Sequence, residues 1–250
     1  MDEIGVGLQL YTLRNECEKN FFATLERVAG IGYEGVELAG LYSHDPESVK
    51  KKLDELDLEV IGHHIPIERI ENELETVIHE QKILGNSRIV CPWLPPERRS
   101  HEDFRNVAEL MKKAAKVCEG HNVEVCYHHH DFELGKNLDG SKLYDILQTD
   151  PLIQAEFDIY WLNQVGHDPV EWMKHFSGRI PVVHLKDRSD DDREATAILG
   201  TGNIPIEEVI EHGEASGVKW WVVEQDDCDY DPIESVTQSY QFLRKIQLKK

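Results

Sequence analysis

The stretch Val123–Trp161, VEVCYHHHDFELGKNLDGSKLYDILQTDPLIQAEFDIYW, decides the fold class. Its two ends, 123–130 and 153–161, are short runs rich in β-branched and aromatic residues, which favour strands. Between them, residues 139–149 have the apolar spacing of an amphipathic helix. A strand, a helix and a strand in this order predict a βαβ unit whose two strands lie parallel.

The same alternation of strands and helices runs through the whole chain. Eight βα pairs in 250 residues predict an α/β fold, a single (β/α)8 TIM barrel that forms one domain over residues 1–250. A doubly wound open sheet usually has a glycine-rich turn after its first strand, and Tyr11–Asn15 contains no glycine. The predicted strands are 6–12, 35–39, 59–65, 88–93, 123–130, 153–161, 180–186 and 219–225. The predicted helices are 20–30, 46–56, 68–84, 101–120, 139–149, 168–177, 205–216 and 232–247.

The composition excludes several classes of protein. A formal net charge of −21 repels nucleic-acid phosphates and anionic membrane surfaces, so we expect neither partner. No apolar stretch approaches the roughly 20 residues of a membrane helix, and the acidic start shows no signal peptide. The five cysteines are odd in number and none are spaced CxxC, which predicts reduced thiols and a cytoplasmic location.

Polar side chains interrupt the ends of the last four predicted strands. In a (β/α)8 barrel the active site lies at the carboxyl ends of the strands, and side chains that alternate along a strand share its inner face. Four consecutive strands therefore deliver imidazoles and carboxylates to one mouth. These side chains are His128 and His130, Glu156 and Asp158, His184 and Lys186, and Glu224.

Two imidazoles and two carboxylates form a mixed nitrogen and oxygen ligand set. Such a set favours Mn, Co, Zn or Fe over Mg as the bound divalent metal ion. A polar network without a metal is the alternative, and the spacing alone places the metal interpretation only slightly ahead. Lys186 also has two interpretations. In the first it supplies positive charge near a developing oxyanion, and in the second it forms an ion pair with Glu156 or Asp158.

The first half of the chain adds candidates for binding a substrate. Glu37 alternates with apolar residues and should project into the mouth, although a structural hydrogen bond or ion pair explains it equally well. One of His63 and His64 must face inward, and we expect His64 to contact a substrate. Trp161 is placed to stack on a sugar face, but core packing accounts for most buried aromatic residues.

Six segments of the sequence resemble the xylose isomerase-like barrels, often called sugar phosphate isomerases/epimerases, with inosose dehydratases and ketose 3-epimerases as relatives. Their order and spacing across most of the chain carry the resemblance; no single segment does. The segments are Tyr33–Leu38, Tyr127–Glu133, Phe157–Trp161, Val183–Asp187, Leu199–Asn203 and Val223–Asp226.

The resemblance implies a metal held by groups at the ends of strands five to eight. By position these are His128, Asp158, His184 and Glu224. Many relatives have a glutamate at the first of these positions, which pairs with the strand-eight glutamate as acid and base. His128 is a departure that puts a two-carboxylate epimerisation in doubt, while neutral imidazole remains a good metal ligand.

The expected chemistry is proton abstraction next to a carbonyl, through a metal-stabilised enediolate. Glu224 is the first choice for the base, with His130, His64 and Glu37 in reserve and Lys186 as an electrostatic aid. Reprotonation at the neighbouring carbon gives an isomerase, and reprotonation on the opposite face gives an epimerase. Expulsion of a β-oxygen gives a dehydratase or lyase acting on a keto-sugar, keto-glycoside or inosose. The sequence leaves the three outcomes open.

We expect an unphosphorylated keto-sugar, polyol or cyclitol as the small-molecule substrate. Barrel phosphate sites lie in the loops after strands seven and eight, and here those loops carry Ser189–Asp192 and Gln225–Asp227. Two rival functions remain: a sugar-binding barrel without catalysis, and an abasic-site endonuclease, which the acidic balance disfavours. Barrels of this group often form dimers, so a homodimer is an expectation of the resemblance alone.

Overall fold

The computed structural model describes residues 4–190, 195–228 and 231–247. Eight parallel strands close into a barrel in the order β1-β8-β7-β6-β5-β4-β3-β2, which confirms the predicted (β/α)8 fold. The strands are β1 Gly5–Gln9, β2 Gly35–Leu38, β3 Glu59–His64, β4 Arg88–Cys91, β5 Glu124–His128, β6 Ile153–Asp158, β7 Val182–Leu185 and β8 Trp220–Val223.

The helices pack around the outside of the barrel, and several begin at the caps that the sequence indicates. Asp45 accepts a hydrogen bond from Ser48 N, and Ser100 forms a capping box with Asp103. The helices are α1 Arg14–Ile31, α2 Pro46–Glu55, α3 Ile67–Asn72, α4 Leu74–Leu84, α5 His101–Glu119, α6 Lys142–Thr149, α7 Ile159–Gln164, α8 Pro169–His175, α9 Ile206–Ser216 and α10 Pro232–Gln247.

Most predicted strands are shorter in the structure, and two predicted elements differ in a way that has a clear physical cause. The single helix predicted over 68–84 is two helices, because Glu73 leaves helical geometry with φ −134°. The sixth strand does not reach Trp161: it ends at Asp158, whose carboxylate accepts hydrogen bonds from Tyr160 N and Trp161 N and caps α7. A polar residue that caps the next helix thus ends the strand earlier than its β-rich sequence suggests.

The barrel interior has an apolar floor beneath a polar upper layer. Ile61, Val182 and Val222 pack together inside the barrel, with Trp220 against them. Gly7 makes room for this layer, since a Cβ there would lie 1.9 Å from Ile61 Cδ1. His184 lies two residues beyond Val182 on β7, and Glu224 lies two residues beyond Val222 just after β8, so these polar residues are nearer the carboxyl ends of their strands than the floor residues are.

A short antiparallel ribbon, Asp187–Arg188 with Thr196–Ala197, follows β7. Of the acidic run Asp190–Asp192, only its first residue belongs to the described part of the chain, and Arg193 also lies outside it. All five cysteines are free thiols, as expected. None of the described helices combines the length and the apolar character that a membrane crossing requires.

Candidate metal centre and active site

The four predicted metal ligands meet at the carboxyl end of the barrel. His128 ends β5, Asp158 ends β6, His184 lies on β7 and Glu224 directly follows β8. One potential ligand atom from each lies within 4.8 Å of those of the other three, and all four side chains are buried. The strand parity that placed these groups on the inner face therefore holds for each of them.

Lys186 is the cation of this cluster. Its Nζ lies 2.9 Å from Asp158 Oδ2, 2.8 Å from Glu224 Oε2 and 3.0 Å from Asp226 Oδ2. Burial alone would lower the pKa of Lys186, but these three carboxylates raise it well above its usual value. Of the two predicted ion-pair partners of Lys186, Asp158 is a contact in the structure. Asp226, which the sequence analysis did not single out, shares the parity of Glu224.

The charges of this cluster leave room for a divalent cation. The three carboxylates of Asp158, Glu224 and Asp226 outnumber the one ammonium of Lys186. Glu224 also contacts His184, whose pKa burial would lower but the neighbouring carboxylates raise well above its usual value, and a bound divalent cation would take the place of the proton on this imidazole. The Nδ1 atom of His128 is buried without a hydrogen bond, and its nearest carboxylate oxygen, Glu156 Oε1, is 3.4 Å away. Two nitrogen and two oxygen donors, one of them unsatisfied, fit a divalent transition metal.

Glu37 contacts the imidazole nitrogen of His184 that does not face Glu224. His184 Nε2 lies 2.6 Å from Glu37 Oε2, while its Nδ1 lies 2.9 Å from Glu224 Oε2. Gln9 Nε2 donates to the same Glu37 oxygen at 2.8 Å. Because Glu37 is fully buried and does not line the cavity, this position favours a role through His184 over the direct substrate contact that the sequence suggested.

A second group of ligand-type side chains lies next to the first and shares His184 with it. His64 Nε2 lies 2.9 Å from Glu156 Oε1 and 3.5 Å from Glu37 Oε2. Burial and the neighbouring Glu156 raise the pKa of Glu37. Burial lowers the pKa of His64, but Glu37 and Glu156 more than offset this and raise it overall. The group therefore holds protons between its imidazoles and carboxylates.

Adjacent histidines on one strand separate to opposite faces. His64 faces the mouth, whereas His63 points outward and pairs with Gln81, Nδ1 to Oε1 3.2 Å. His129 also leaves the mouth, and its Nε2 accepts a hydrogen bond from Asp158 N at 3.2 Å. The predicted alternation thus selects the members that reach the cavity.

His130 and Trp161 form one wall of the cavity. Their ring centroids are 5.2 Å apart, and His130 stacks on Phe132 with an interplanar angle of 10°. Burial lowers the pKa of His130 well below its usual value, so the imidazole is neutral, and its Nδ1 has no hydrogen-bond partner. The backbone N–H of His130 donates to Glu133 Oε2 at 2.9 Å, which fixes the strand end.

A cavity of about 720 Å³ opens above the cluster. It reaches across the mouth from the ligand residues of β5 and β8 to the loops after β1 and β4. His64, His130 and Trp161, predicted as binding or catalytic residues, line it. The described residues that line it are Tyr11, Arg14, Ala39, Gly40, His64, Pro66, Pro92, Trp93, His128, His130, Trp161, Glu224, Asp226 and Asp227.

The glycine-containing loop after β7 is filled by a carboxylate of the chain itself. Asp187 Oδ2 accepts hydrogen bonds from Gly200 N and Gly202 N, each at 2.9 Å, and its Oδ1 accepts from Ile204 N at 3.1 Å. These are the backbone N–H groups that could otherwise cradle a phosphate. The loop is therefore an internal turn and offers no phosphate cradle.

A closed barrel with ionisable side chains gathered at the carboxyl ends of its strands is the architecture of (β/α)8 enzymes. The sequence profile described as "Xylose isomerase-like TIM barrel" matches residues 25–246. The chain belongs to this family.

Relatives of this chain include dehydratases and isomerases. An inosose dehydratase from Geobacillus kaustophilus is 28% identical over 193 residues, which cover 67% of this chain and 62% of that protein. An inosose dehydratase from Clostridium tetani is 22% identical, covering 98% of this chain and 97% of that protein. A solved sugar phosphate isomerase/epimerase from Parabacteroides distasonis has a TM-score of 0.81 at 22% identity, covering 98% of this chain and 97% of the other.

Proposed function

We propose that this chain is a metal-dependent isomerase or epimerase that moves a proton next to the carbonyl of an unphosphorylated keto-sugar or cyclitol. The observation that carries the proposal is the meeting of His128, Asp158, His184 and Glu224 beside the cavity, with ligand atoms within 4.8 Å of one another. These four side chains would hold the ion. When bound, a divalent ion supplies positive charge to a carbonyl oxygen, which acidifies the neighbouring C–H bond.

Glu224 is the proposed proton acceptor. Burial would raise the pKa of this carboxyl, but Lys186 and His184 hold it well below its usual range, so it is ionised at neutral pH. Glu224 lines the cavity, where a substrate carbon can approach it. Lys186 has 1% of its surface exposed and is held by three carboxylates, which suits an electrostatic role more than direct proton transfer.

His130 is the proposed partner that returns a proton. It lines the same cavity as Glu224, it is neutral, and its Nδ1 has no hydrogen-bond partner among the residues that the structure describes. A neutral imidazole can accept a proton from a substrate hydroxyl and deliver it again. An imidazole and a carboxylate thus replace the two glutamates found in many relatives. His64 and Trp161 are the proposed contacts that orient the sugar.

The charge around the cavity supports an unphosphorylated substrate. Arg14 is the only lysine or arginine among the described lining residues, and Asp227 lies 3.8 Å from its guanidinium. Asp226 and Asp227 place further negative charge at the same rim. A phosphate dianion would meet repulsion here and would lack the bidentate arginine contacts that recognise it elsewhere.

Dehydration is the second candidate, and the relatives named inosose dehydratase favour it. In this reaction the base removes the proton next to the carbonyl, a carbon–carbon double bond forms, and the bond from the β-carbon to oxygen breaks. The departing oxygen takes a proton and leaves as water. Neutral His130 would relay that proton, accepting one at Nδ1 as its other nitrogen donates to the departing oxygen, so that the proton removed by Glu224 ends on the water. This requires one carboxylate and one imidazole and no second glutamate.

Proton exchange with solvent tests the proposal directly. The Mn²⁺-loaded protein is incubated in D2O with keto-sugars and inososes, and the proton next to each carbonyl is followed by NMR. We expect exchange of that proton for at least one substrate, and the product separates the candidates because dehydration creates an ultraviolet-absorbing enone. Tight sugar binding without any exchange would instead indicate a non-catalytic barrel, and nicking of abasic DNA would indicate an endonuclease.

A further inference from the structure

The cavity is larger than the chemistry at its metal ligands requires. Its volume of about 720 Å³ lies well inside the range of roughly 300–1,000 Å³ that holds drug-sized ligands. The proposed ligands all come from β5–β8, so the reacting carbon lies over that half of the mouth. A single sugar ring placed there, with His64 of β3 at its edge, leaves the part of the cavity next to the loops after β1 and β4 to water.

That second half exposes two aromatic rings. Tyr11, after β1, is 46% exposed, and Trp93, after β4, is 44% exposed. Among the described residues the only other exposed large hydrophobic side chains are Val117 and Val165, which lie outside the cavity. The two exposed aromatic rings therefore line the same cavity, whereas the fold buries most other large hydrophobic side chains.

Each exposed ring is held in place by an arginine. The Arg14 guanidinium carbon lies 4.5 Å from the centre of the Tyr11 ring, and Arg14 donates to Tyr11 O at 3.1 Å. The Arg99 guanidinium carbon lies 5.1 Å from the centre of the Trp93 ring, and Arg99 donates twice to Leu94 O, at 2.8 and 2.7 Å. An exposed ring fixed in this way loses little entropy when a ligand stacks on it.

We propose that the substrate carries a second ring in glycosidic linkage, with the keto ring over the β5–β8 half and the second ring against Tyr11 and Trp93. This inference rests on the proposed function, whose substrate it names more closely as a keto-glycoside. Flat aromatic faces bind the apolar face of a sugar or an aryl ring. The exposed rim formed by Tyr11 and Trp93 binds this second ring by stacking and not by charge. The one cation among the described lining residues is Arg14, and it already contacts the Tyr11 ring and Asp227.

Substrate preference tests the inference. The Mn²⁺-loaded protein is assayed for proton exchange with 3-keto-glucose, its methyl glycoside, a 3-keto-disaccharide and a 3-keto-aryl glucoside. We expect kcat/KM to be at least about 10-fold higher for the two two-ring probes than for the two smaller ones, because remote binding energy supports the reaction. The disaccharide and the aryl glucoside show whether a sugar or an aryl ring is preferred.

Rim variants locate the source of that preference. Tyr11→Ala and Trp93→Ala should each reduce the ratio of two-ring to one-ring kcat/KM by about 3- to 10-fold. Val117→Ala, at an exposed apolar residue outside the cavity, is the matched control and should leave the ratio unchanged. Equal kcat/KM for all four probes, or an unchanged ratio in both rim variants, would overturn the inference.

A binding measurement separates this inference from the proposed function. Quenching of tryptophan fluorescence by the unoxidised disaccharide reports on the rim and requires no chemistry. If no probe exchanges its proton but the disaccharide binds saturably to the wild type and not to Tyr11→Ala, which keeps the Trp93 fluorophore, the proposed function fails and the rim site stands. If the disaccharide does not bind and exchange occurs only with one-ring sugars, the proposed function stands and the rim site fails.

Discussion

The two halves of the barrel mouth differ in chemistry. Over β5–β8, every strand end presents an ionisable side chain to a shared point, and these are His128, Asp158, His184 and Glu224. Over β1–β4, the polar side chains Gln9 and Glu37 are buried beneath the mouth, while Tyr11 and Trp93 form an exposed rim.

This difference indicates a division of tasks. In the proposed function, the charged side chains over β5–β8 act on the substrate, while the β1–β4 half contacts them through Glu37 and shapes the cavity above. Two contacts across the barrel interior link the halves: Glu37 Oε2 to His184 Nε2 at 2.6 Å, and His64 Nε2 to Glu156 Oε1 at 2.9 Å. A carboxylate behind a ligating imidazole fixes its tautomer and orientation and increases its basicity.

The largest expected effect comes from the β5–β8 half. Glu224→Gln removes the proposed base but keeps the shape of the side chain, and we expect kcat/KM to fall by about 10³- to 10⁴-fold in the proton-exchange assay. Glu171→Gln, an exposed residue of α8, is the matched control and should keep full activity. Exchange at the wild-type rate in Glu224→Gln would remove this residue from the mechanism.

A smaller effect is expected from one of the two contacts that join the halves. Glu37→Gln keeps a hydrogen-bond acceptor for His184 but loses the negative charge, so metal affinity should fall by roughly 10- to 100-fold. Isothermal titration with Mn²⁺ measures this affinity. The control is Glu47→Gln, on the exposed first turn of α2. Unchanged affinity in Glu37→Gln would mean that the two halves are not coupled through His184.

The smallest expected effect concerns Glu133, a buried carboxylic acid in the segment after β5. Burial raises the pKa of Glu133 to about 8, although the N–H of His130 and the Tyr127 hydroxyl lower it. The folded protein then binds a proton that the unfolded chain releases above its ordinary pKa near 4.5. This contribution to stability is full at low pH, declines as pH rises from about 4.5 to 8, and is lost above that.

Thermal melts of the wild type and Glu133→Gln between about pH 4.5 and 8 test whether stability declines with pH in this way. The amide resembles the protonated acid, so the variant should lose less stability than the wild type between pH 5 and 8, by about 1–3 kcal/mol of unfolding free energy. Parallel pH profiles for the two proteins would show that Glu133 is ionised in the folded state throughout.

Alternation along the strands was sufficient to predict the fold and the inner face of the site. His128, Asp158, His184 and Glu224 each follow a run whose apolar neighbours pack outward, so period two places them in the mouth. The family match and the closed barrel confirm the fold class. The assignment of residues 1–250 to one domain, a homodimer and a cytoplasmic location remain predictions.

The features that the sequence did not predict depend on contacts between residues that are far apart in the sequence. The salt bridge between Lys186 and Asp226 joins the ends of β7 and β8, and the burial of Glu37 against His184 joins β2 to β7. The alternation of side chains predicts which face of a strand a residue lies on. It does not predict how deep that side chain lies in the barrel. Strand ends were also predicted too long, because caps such as Asp158 belong to both the strand and the next helix.

The central claim is that one divalent cation binds where β5–β8 converge, and counting bound metal tests it most directly. Purified protein is dialysed against a chelator, titrated with Mn²⁺ and compared with His128→Ala. We predict one tightly bound ion per chain in the wild type and an affinity at least about 100-fold weaker in the variant. No stoichiometric binding, or equal binding by both proteins, would contradict the claim.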